Sequence, residues 1–299
     1  MEQIVVQNAA TRRQFLAGGA AAAAPIVGDR SAPDPPSTGL LAGRRAVIYG
    51  AAGAMGSAVA QAFARHGAVV FVTGRTLETV SSVAAGIEAA GGRAFAARVD
   101  ALDRASVEDH LAQVVREHGG VDVSFNLIGL GGLQGSPLTA MNAESFAEPV
   151  VTAMRTHYLT AVAAARHMAS QKSGVILALT AQVARKPYVA SGGFGVACAA
   201  IEGLWRQLAI ELGAAGIRLV TLRSSGSPDA PGVRNAVAEH ARAAGVTRDV
   251  FEARIAEKTM LKRMPLMAEI ANLAVMAASD HASALTAAVL NATCGEIAD

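Results

Sequence analysis

The chain has 299 residues, 52% of them hydrophobic and 17% charged, with a formal net charge of +2. That length and apolar content suit one large domain with a buried core, and the near-neutral charge, without a basic stripe interleaved with aromatics, gives no sign of a nucleic-acid partner. No apolar run reaches the roughly 18 residues of a stable membrane span, and the seven histidines and two cysteines show no metal-binding spacing.

Residues 1–38 read as an address rather than as part of the fold. The run TRRQFLAGGAAAAAPIVG sets Arg12 and Arg13, after Thr11, ahead of Phe15, Leu16 and a weakly apolar Ala/Gly stretch. It resembles a twin-arginine export signal, so a periplasmic or exported protein is expected. The alternative is a cytoplasmic protein with an Ala-rich leader. SAPDPPSTG, Ser31 to Gly39, follows as a Pro-rich linker. The folded domain is then residues 39–299.

From Arg44 onward, short apolar runs alternate with helical patterns. RRAVIYG, AVVFVTG, RAFAARVD and VDVSFNLIG read as four strands. Between them, AMGSAVAQAFARHG, TLETVSSVAAGIEAAGG and DRASVEDHLAQVVREHGG read as helices closed by glycine. In the second half, a helix over Val151–Ser170 precedes a strand over Gly174–Thr180, and a helix over Phe194–Gly213 precedes a strand over Ile217–Leu222. A helical insertion over roughly Gly232–Met260, a helix over Met267–Ser279 and a strand near Ala287–Asn291 complete the chain. The alternation predicts right-handed βαβ units: an α/β fold with one doubly wound parallel sheet of Rossmann type, in a single domain.

The first strand-to-helix turn, YGAAGAMGSAVA, spaces Gly50, Gly53 and Gly56 three apart. Glycine lets the backbone approach a pyrophosphate, and the helix behind the turn presents free N–H groups and a positive dipole end. The turn follows a strand and opens a helix, which is the context a dinucleotide site needs. The second strand ends in VTGRT, about 20 residues on, where an NAD site carries an acidic ribose partner. Here Gly74 and Arg75 stand instead. A guanidinium pairs with a 2′-phosphate, so NADP is expected over NAD.

These features resemble the short-chain dehydrogenase/reductase family over essentially all of residues 40–299. The glycine turn is similar to the family's Gly-x-x-x-Gly-x-Gly, with Ala54 at the middle glycine, and is equally close to the Gly-x-x-Gly-x-x-Gly of longer members. Val99 and Asp100 match the pair that contacts adenine. Asn126 and Gly129 match the ends of Asn-Asn-Ala-Gly, whereas Leu127 and Ile128 depart from its middle. Cys294 and Gly295 stand where Gly-Gly often does. The resemblance thus implies a cofactor site of Gly50, Gly53, Met55, Gly56, Arg75, Asp100, Asn126 and Gly129, with no metal.

The chemistry departs from the family. Its serine, tyrosine and lysine fall on Ala181, Phe194 and Cys198, and its asparagine on the preceding helix is missing. Alanine donates no hydrogen bond, a phenyl ring carries no proton, and a neutral thiol supplies no cation. Tyr188 and His157 are the weak candidates for a substitute acid, and a reactive Cys198 thiolate is a weaker one. Otherwise both cysteines read as small buried apolar residues. Thr180 is set aside because a one-residue offset faces the other side of a strand. Arg223 and the serines of LRSSGSPD are candidate ligand contacts.

The leading expectation is an NADP-linked oxidoreductase of a small molecule with an atypical proton donor. The rivals are a non-catalytic dinucleotide-binding or sensing protein and a redox-neutral cyclase, dehydratase or isomerase. The resemblance also implies a homodimer or homotetramer through the helices Val151–Ser170 and Phe194–Gly213.

Overall fold

The apolar runs become strands whose side chains are covered on both faces at the centre of the sheet, while the edge strands keep exposed positions. β1 (Arg45–Tyr49), β2 (Val69–Gly74), β3 (Arg93–Arg98), β4 (Val123–Asn126), β5 (Gly174–Ala181), β6 (Ile217–Ser224) and β7 (Ala288–Ala292) form one sheet. The computed structural model describes residues 39–298; the leader and linker expected over residues 1–38 lie outside them. Among the described residues the seven strands run in the order β3-β2-β1-β4-β5-β6-β7. Every neighbouring pair is parallel. Parallel pairing demands crossovers, and helices supply them.

Helices α1 (Ala54–Arg65), α2 (Leu77–Ala89) and α8 (Met267–Ala278) cover one face, with Phe63, Ile87 and Val275 in its core. Helices α3 (Arg104–His118), α4 (Ala143–Gln171) and α5 (Gly192–Leu212) cover the other, with Leu111, Met168, Ile201 and Trp205 at its centre. The insertion resolves into α6 (Pro231–Ala243) and α7 (Arg248–Lys258). It contributes little core: α6 buries Val237 and Ala241, and α7 buries no residue.

One helix differs clearly from its predicted extent. Val151–Ser170 begins at Ala143 instead and runs through Pro149. Proline has no N–H, so the carbonyl of Ser145 loses its helical partner. Two features offset that loss. Asn142 caps the helix upstream, its Oδ1 accepting from the Ser145 N–H at 2.7 Å. Pro149 is itself buried, packed so closely that a Cβ on Gly193 would lie 2.9 Å from its Cγ.

Helices α1, α2 and α8 leave the sheet in one direction and α3, α4 and α5 in the other, so the strand order reverses between β1 and β4. The crevice beyond the strands' carboxyl ends at that reversal is where open α/β sheets bind ligands. β5 and β6 each reach two or fewer residues further toward it than predicted, to Ala181 and Ser224.

Candidate active site

The turn after β1 is built from glycines with separate steric duties. Gly50 has φ +73, and a Cβ there would lie 2.8 Å from the Leu127 carbonyl oxygen. Gly53 is the N-cap of α1, its N–H donating to Gly50 O at 3.0 Å. A Cβ on Gly56 would overlap the same Gly50 oxygen. The backbone therefore closes on itself, leaving the α1 N-terminus facing the crevice. Met55 is half-buried and packs against the core beneath the turn. The cradle fits a pyrophosphate, whose charge the N-terminal N–H groups would meet.

The other expected cofactor positions differ in how far their own fold uses them. Asn126 is buried; its Nδ2 donates to Thr160 Oγ1 at 3.3 Å and its Oδ1 accepts from the Ile128 N–H at 3.0 Å. It braces the end of β4 against α4. Asp100 is half-buried, its Oδ1 accepting from the Leu102 N–H at 3.0 Å. Gly129 is exposed, with open space where a Cβ would stand. Arg75 is exposed one residue beyond β2 and makes no hydrogen bond or ion pair among the described residues.

The three positions on which the family's catalytic residues are expected to fall lie together. Cys198 is 1% exposed and sits against the Ala181 backbone, to which it is hydrogen-bonded. Phe194 precedes it by one helical turn, and Ala181 and Phe194 are both half-buried. Burial pushes the Cys198 thiol up to about 12; the Ala181 contact opposes this and the Glu202 charge adds to it. The reactive-thiolate reading therefore fails, since a buried thiol beside a carboxylate stays protonated. Cys294, by contrast, is half-buried rather than buried. With Gly295 it adopts two successive left-handed conformations, φ +52 and +79, the geometry a Gly-Gly pair suits.

His157 is corrected as a candidate acid. It is 1% exposed, edge-on to Trp205 with ring centroids 5.3 Å apart, and its Nδ1 donates to Ala153 O at 2.9 Å. Trp205 Nε1 in turn donates to Ile176 O, so His157 lies at the level of mid-β5, well short of Ala181. Burial pushes its imidazole down to about 4, partly offset by the Ala153 bond.

Arg223 is likewise corrected. It is 4% exposed and forks onto Glu202 of α5, Nε to Oε1 at 2.9 Å and Nη2 to Oε2 at 2.8 Å. Thr180 Oγ1 donates to the same Glu202 Oε1 at 3.0 Å, on the strand face opposite Ala181 as alternation requires. Of the loop serines, Ser224 Oγ accepts from the Gly226 N–H and Ser225 Oγ donates to Thr293 O. Of these three serines, Ser227 alone has a buried Oγ without a hydrogen-bond partner among the described residues.

Tyr188 remains at the site's rim, 37% exposed. Its Oη donates to Gln134 Oε1 at 3.3 Å, and its ring is edge-on to His240 of α6 at 5.4 Å. Sequence reasoning missed Glu202, Gln134 and His240. Glu202 had a signal, standing one turn after Cys198 on the same face of α5; the other two had none. Among the described residues no cluster could hold a metal ion, and no helix is long and apolar enough to cross a membrane.

A parallel sheet with a glycine turn at its switch point defines a dinucleotide-binding Rossmann domain. A family profile described as enoyl-(acyl carrier protein) reductase matches residues 50–296. The chain is 30% identical over 250 residues to cis-4-hydroxycyclohexanecarboxylate dehydrogenase of Sinomonas cyclohexanicum, covering 84% of this chain and 95% of that one. It is 29% identical over 185 residues to gluconate 5-dehydrogenase of Gluconobacter oxydans, covering 60% and 69%. A short-chain type dehydrogenase/reductase from Mycobacterium marinum superposes with a TM-score of 0.73 at 27% identity, covering 87% of this chain and 97% of that one. The protein belongs to the short-chain dehydrogenase/reductase family and is an oxidoreductase of that type. Two solved structures that share the fold hold a nicotinamide dinucleotide, a xylitol dehydrogenase with NAD+ and a 7α-hydroxysteroid dehydrogenase with NADH.

Proposed function

We propose that the protein is an NADP-linked oxidoreductase of a small uncharged carbonyl compound or its alcohol, with a proton donor other than the family's. When bound, the nicotinamide supplies or accepts the hydride. The α1 N-terminus and its glycine turn hold the pyrophosphate, and Arg75 holds the 2′-phosphate. The observation that carries the reading is Arg75 itself: a guanidinium beyond β2, exposed and without a partner among the described residues, where an NAD site places a carboxylate.

Ala181, Phe194 and Cys198 support the non-standard chemistry. None can act as the usual orienting donor, acid or cation, and a general acid is worth about 10²–10⁴ in rate. Titration with NADP and NAD, followed by nicotinamide absorbance over a set of ketones and alcohols, tests the reading. Tighter NAD binding would overturn the cofactor choice. Bound NADP with no turnover would instead favour a dinucleotide sensor, a role the same three replacements also suit. Substrate conversion without cofactor consumption would point to a redox-neutral enzyme.

A homodimer or homotetramer is part of this proposal. Val151 and Tyr158 on α4 and Val196 and Ile210 on α5 are exposed apolar side chains that a partner subunit would cover; light scattering showing a monomer would refute it. So is export, tested by N-terminal sequencing of periplasmic material.

A further inference from the structure

Beyond the three replaced positions, one arrangement at the carboxyl edge has the geometry of carbonyl recognition. Tyr188 Oη and His240 Nε2 converge on a single acceptor, the amide oxygen of Gln134, at 3.3 and 3.1 Å. An amide oxygen only accepts, so Nε2 carries the proton. Two neutral donors aimed at one carbonyl oxygen are what a ketone or aldehyde needs to be held and polarised.

The surroundings suit that use. The Gln134 loop is tied to the start of α5, just ahead of Phe194: the Gly135 N–H donates to Ala190 O at 2.9 Å, and a Cβ on Gly192 would lie 2.5 Å from Leu133 O. Phe251 stacks on His240 with rings 8° from parallel, fixing the imidazole from α7. Burial lowers the His240 pKa, partly offset by Glu239, so the imidazole is a neutral donor at neutral pH. Aromatic rings therefore flank the imidazole on two sides, Tyr188 edge-on and Phe251 stacked.

The element that holds the acceptor is able to yield it. Gln134 sits in a loop with left-handed glycines on both sides: Gly131 and Gly132 before it, Gly135 after it. The α6–α7 hairpin that carries His240 is lightly anchored, as its small share of core shows.

We propose that Tyr188 and His240 form a two-donor site for the carbonyl oxygen of an uncharged ketone or aldehyde, which Gln134 occupies with its own amide. The substrate carbonyl takes the place of the Gln134 oxygen. As it is reduced, its oxygen takes the proton of Tyr188 Oη, and the tyrosinate regains one from solvent at its exposed edge. This rests on the oxidoreductase reading and names the chemical class and the donors for it.

The test is binding of cyclohexanone labelled with ¹³C at the carbonyl, followed by its infrared stretch, without nucleotide and again with oxidised NADP, which cannot reduce it. Binding to the unaltered protein lowers the stretching frequency. Gln134→Ala removes the internal competitor and binds about two- to tenfold tighter, the value of one net hydrogen bond. Tyr188→Phe keeps the ring contact, binds more weakly by a similar factor and loses part of the frequency shift, as does His240→Phe. Circular dichroism confirms that each variant folds.

The proposal is overturned if Gln134→Ala binds no tighter, if Tyr188→Phe keeps the full shift, or if neither the unaltered protein nor Gln134→Ala binds the ketone saturably. NADP titration of the same samples separates the two readings. Failure of NADP binding counts against the cofactor assignment alone, and loss of the carbonyl signal with NADP still bound counts against the donor pair alone.

Discussion

A methyl group on Gly56 would overlap the carbonyl oxygen of Gly50. That contact ties the first turn of α1 to the end of β1, and no side-chain rotation relieves it. Gly56→Ala is expected to cost about 1–3 kcal/mol of stability, as overpacking does, and to weaken NADP binding because the turn must open. Gly129→Ala, with open space at its Cβ, should stay within about 0.5 kcal/mol. Thermal denaturation with cofactor titration compares the two.

Arg75 gives a prediction of the opposite kind. Its exposed side chain has no partner to lose among the described residues, so Arg75→Ala should leave stability within about 0.5 kcal/mol. Loss of a charge-assisted bond to the 2′-phosphate should weaken NADP about ten- to a hundredfold. NAD affinity should hardly change. Equal losses for both nucleotides would remove Arg75 from the site.

Glu202 is expected to matter for folding out of proportion to its visibility in the sequence. Its carboxylate and the Arg223 guanidinium are each about 5% exposed. Glu202→Leu removes both hydrogen bonds of the fork that holds the Arg223 guanidinium and should cost about 1.5–3 kcal/mol, the range for a hydrogen bond to a charged group. Thr180→Val, which removes one hydrogen bond to the same carboxylate, should cost about 1 kcal/mol. Chemical denaturation measures both.

Acid should destabilise the fold through buried histidines. Burial pushes both His110 and His157 from 6.5 down to about 4. Between those values the unfolded chain binds protons that the folded chain does not, so stability is present above pH 6.5 and falls as the pH drops toward 4. Each histidine adds a slope of up to about 1.4 kcal/mol per pH unit. His157→Phe should remove one such contribution, flattening the stability–pH curve in that window; an unchanged slope would show that His157 does not titrate there.

Tyr188 sets a direction for catalysis. Burial first, with the Glu296 charge adding to it, pushes its phenol up to about 12. Below that pH it is a protonated donor, so reduction should be nearly independent of pH from 6 to 9. Oxidation needs the tyrosinate and should climb tenfold per pH unit over the same range. A plateau near neutrality in the oxidative direction would show that another group is the base.

The fold was legible because its signals are local. Gly50, Gly53 and Gly56 punctuate one turn, and each strand is a continuous apolar run. The helix expected from Val151 starts at Ala143 because the Asn142 cap and packing on Gly193, a local and a distant feature, together carry it through Pro149. The glycine turn that opens α1 was legible for the same reason as the fold. The rest depends on long-range meetings. Gln134, Tyr188 and His240 come from three separate connections, and Arg223 reads as a ligand contact until Glu202, 21 residues earlier, is seen to claim it.

The buried place of Cys198, beside a carboxylate already held by an arginine, would make a lysine hard to accept there. A lysine introduced there would arrive as a second cation competing for Glu202. Cys198→Lys, Phe194→Tyr and Ala181→Ser are therefore not three independent repairs, since the first changes the charge balance of the interior before it supplies anything to a reaction. Any path to a Ser/Tyr/Lys trio at these positions runs through Arg223, and the order of the steps decides whether the intermediates fold.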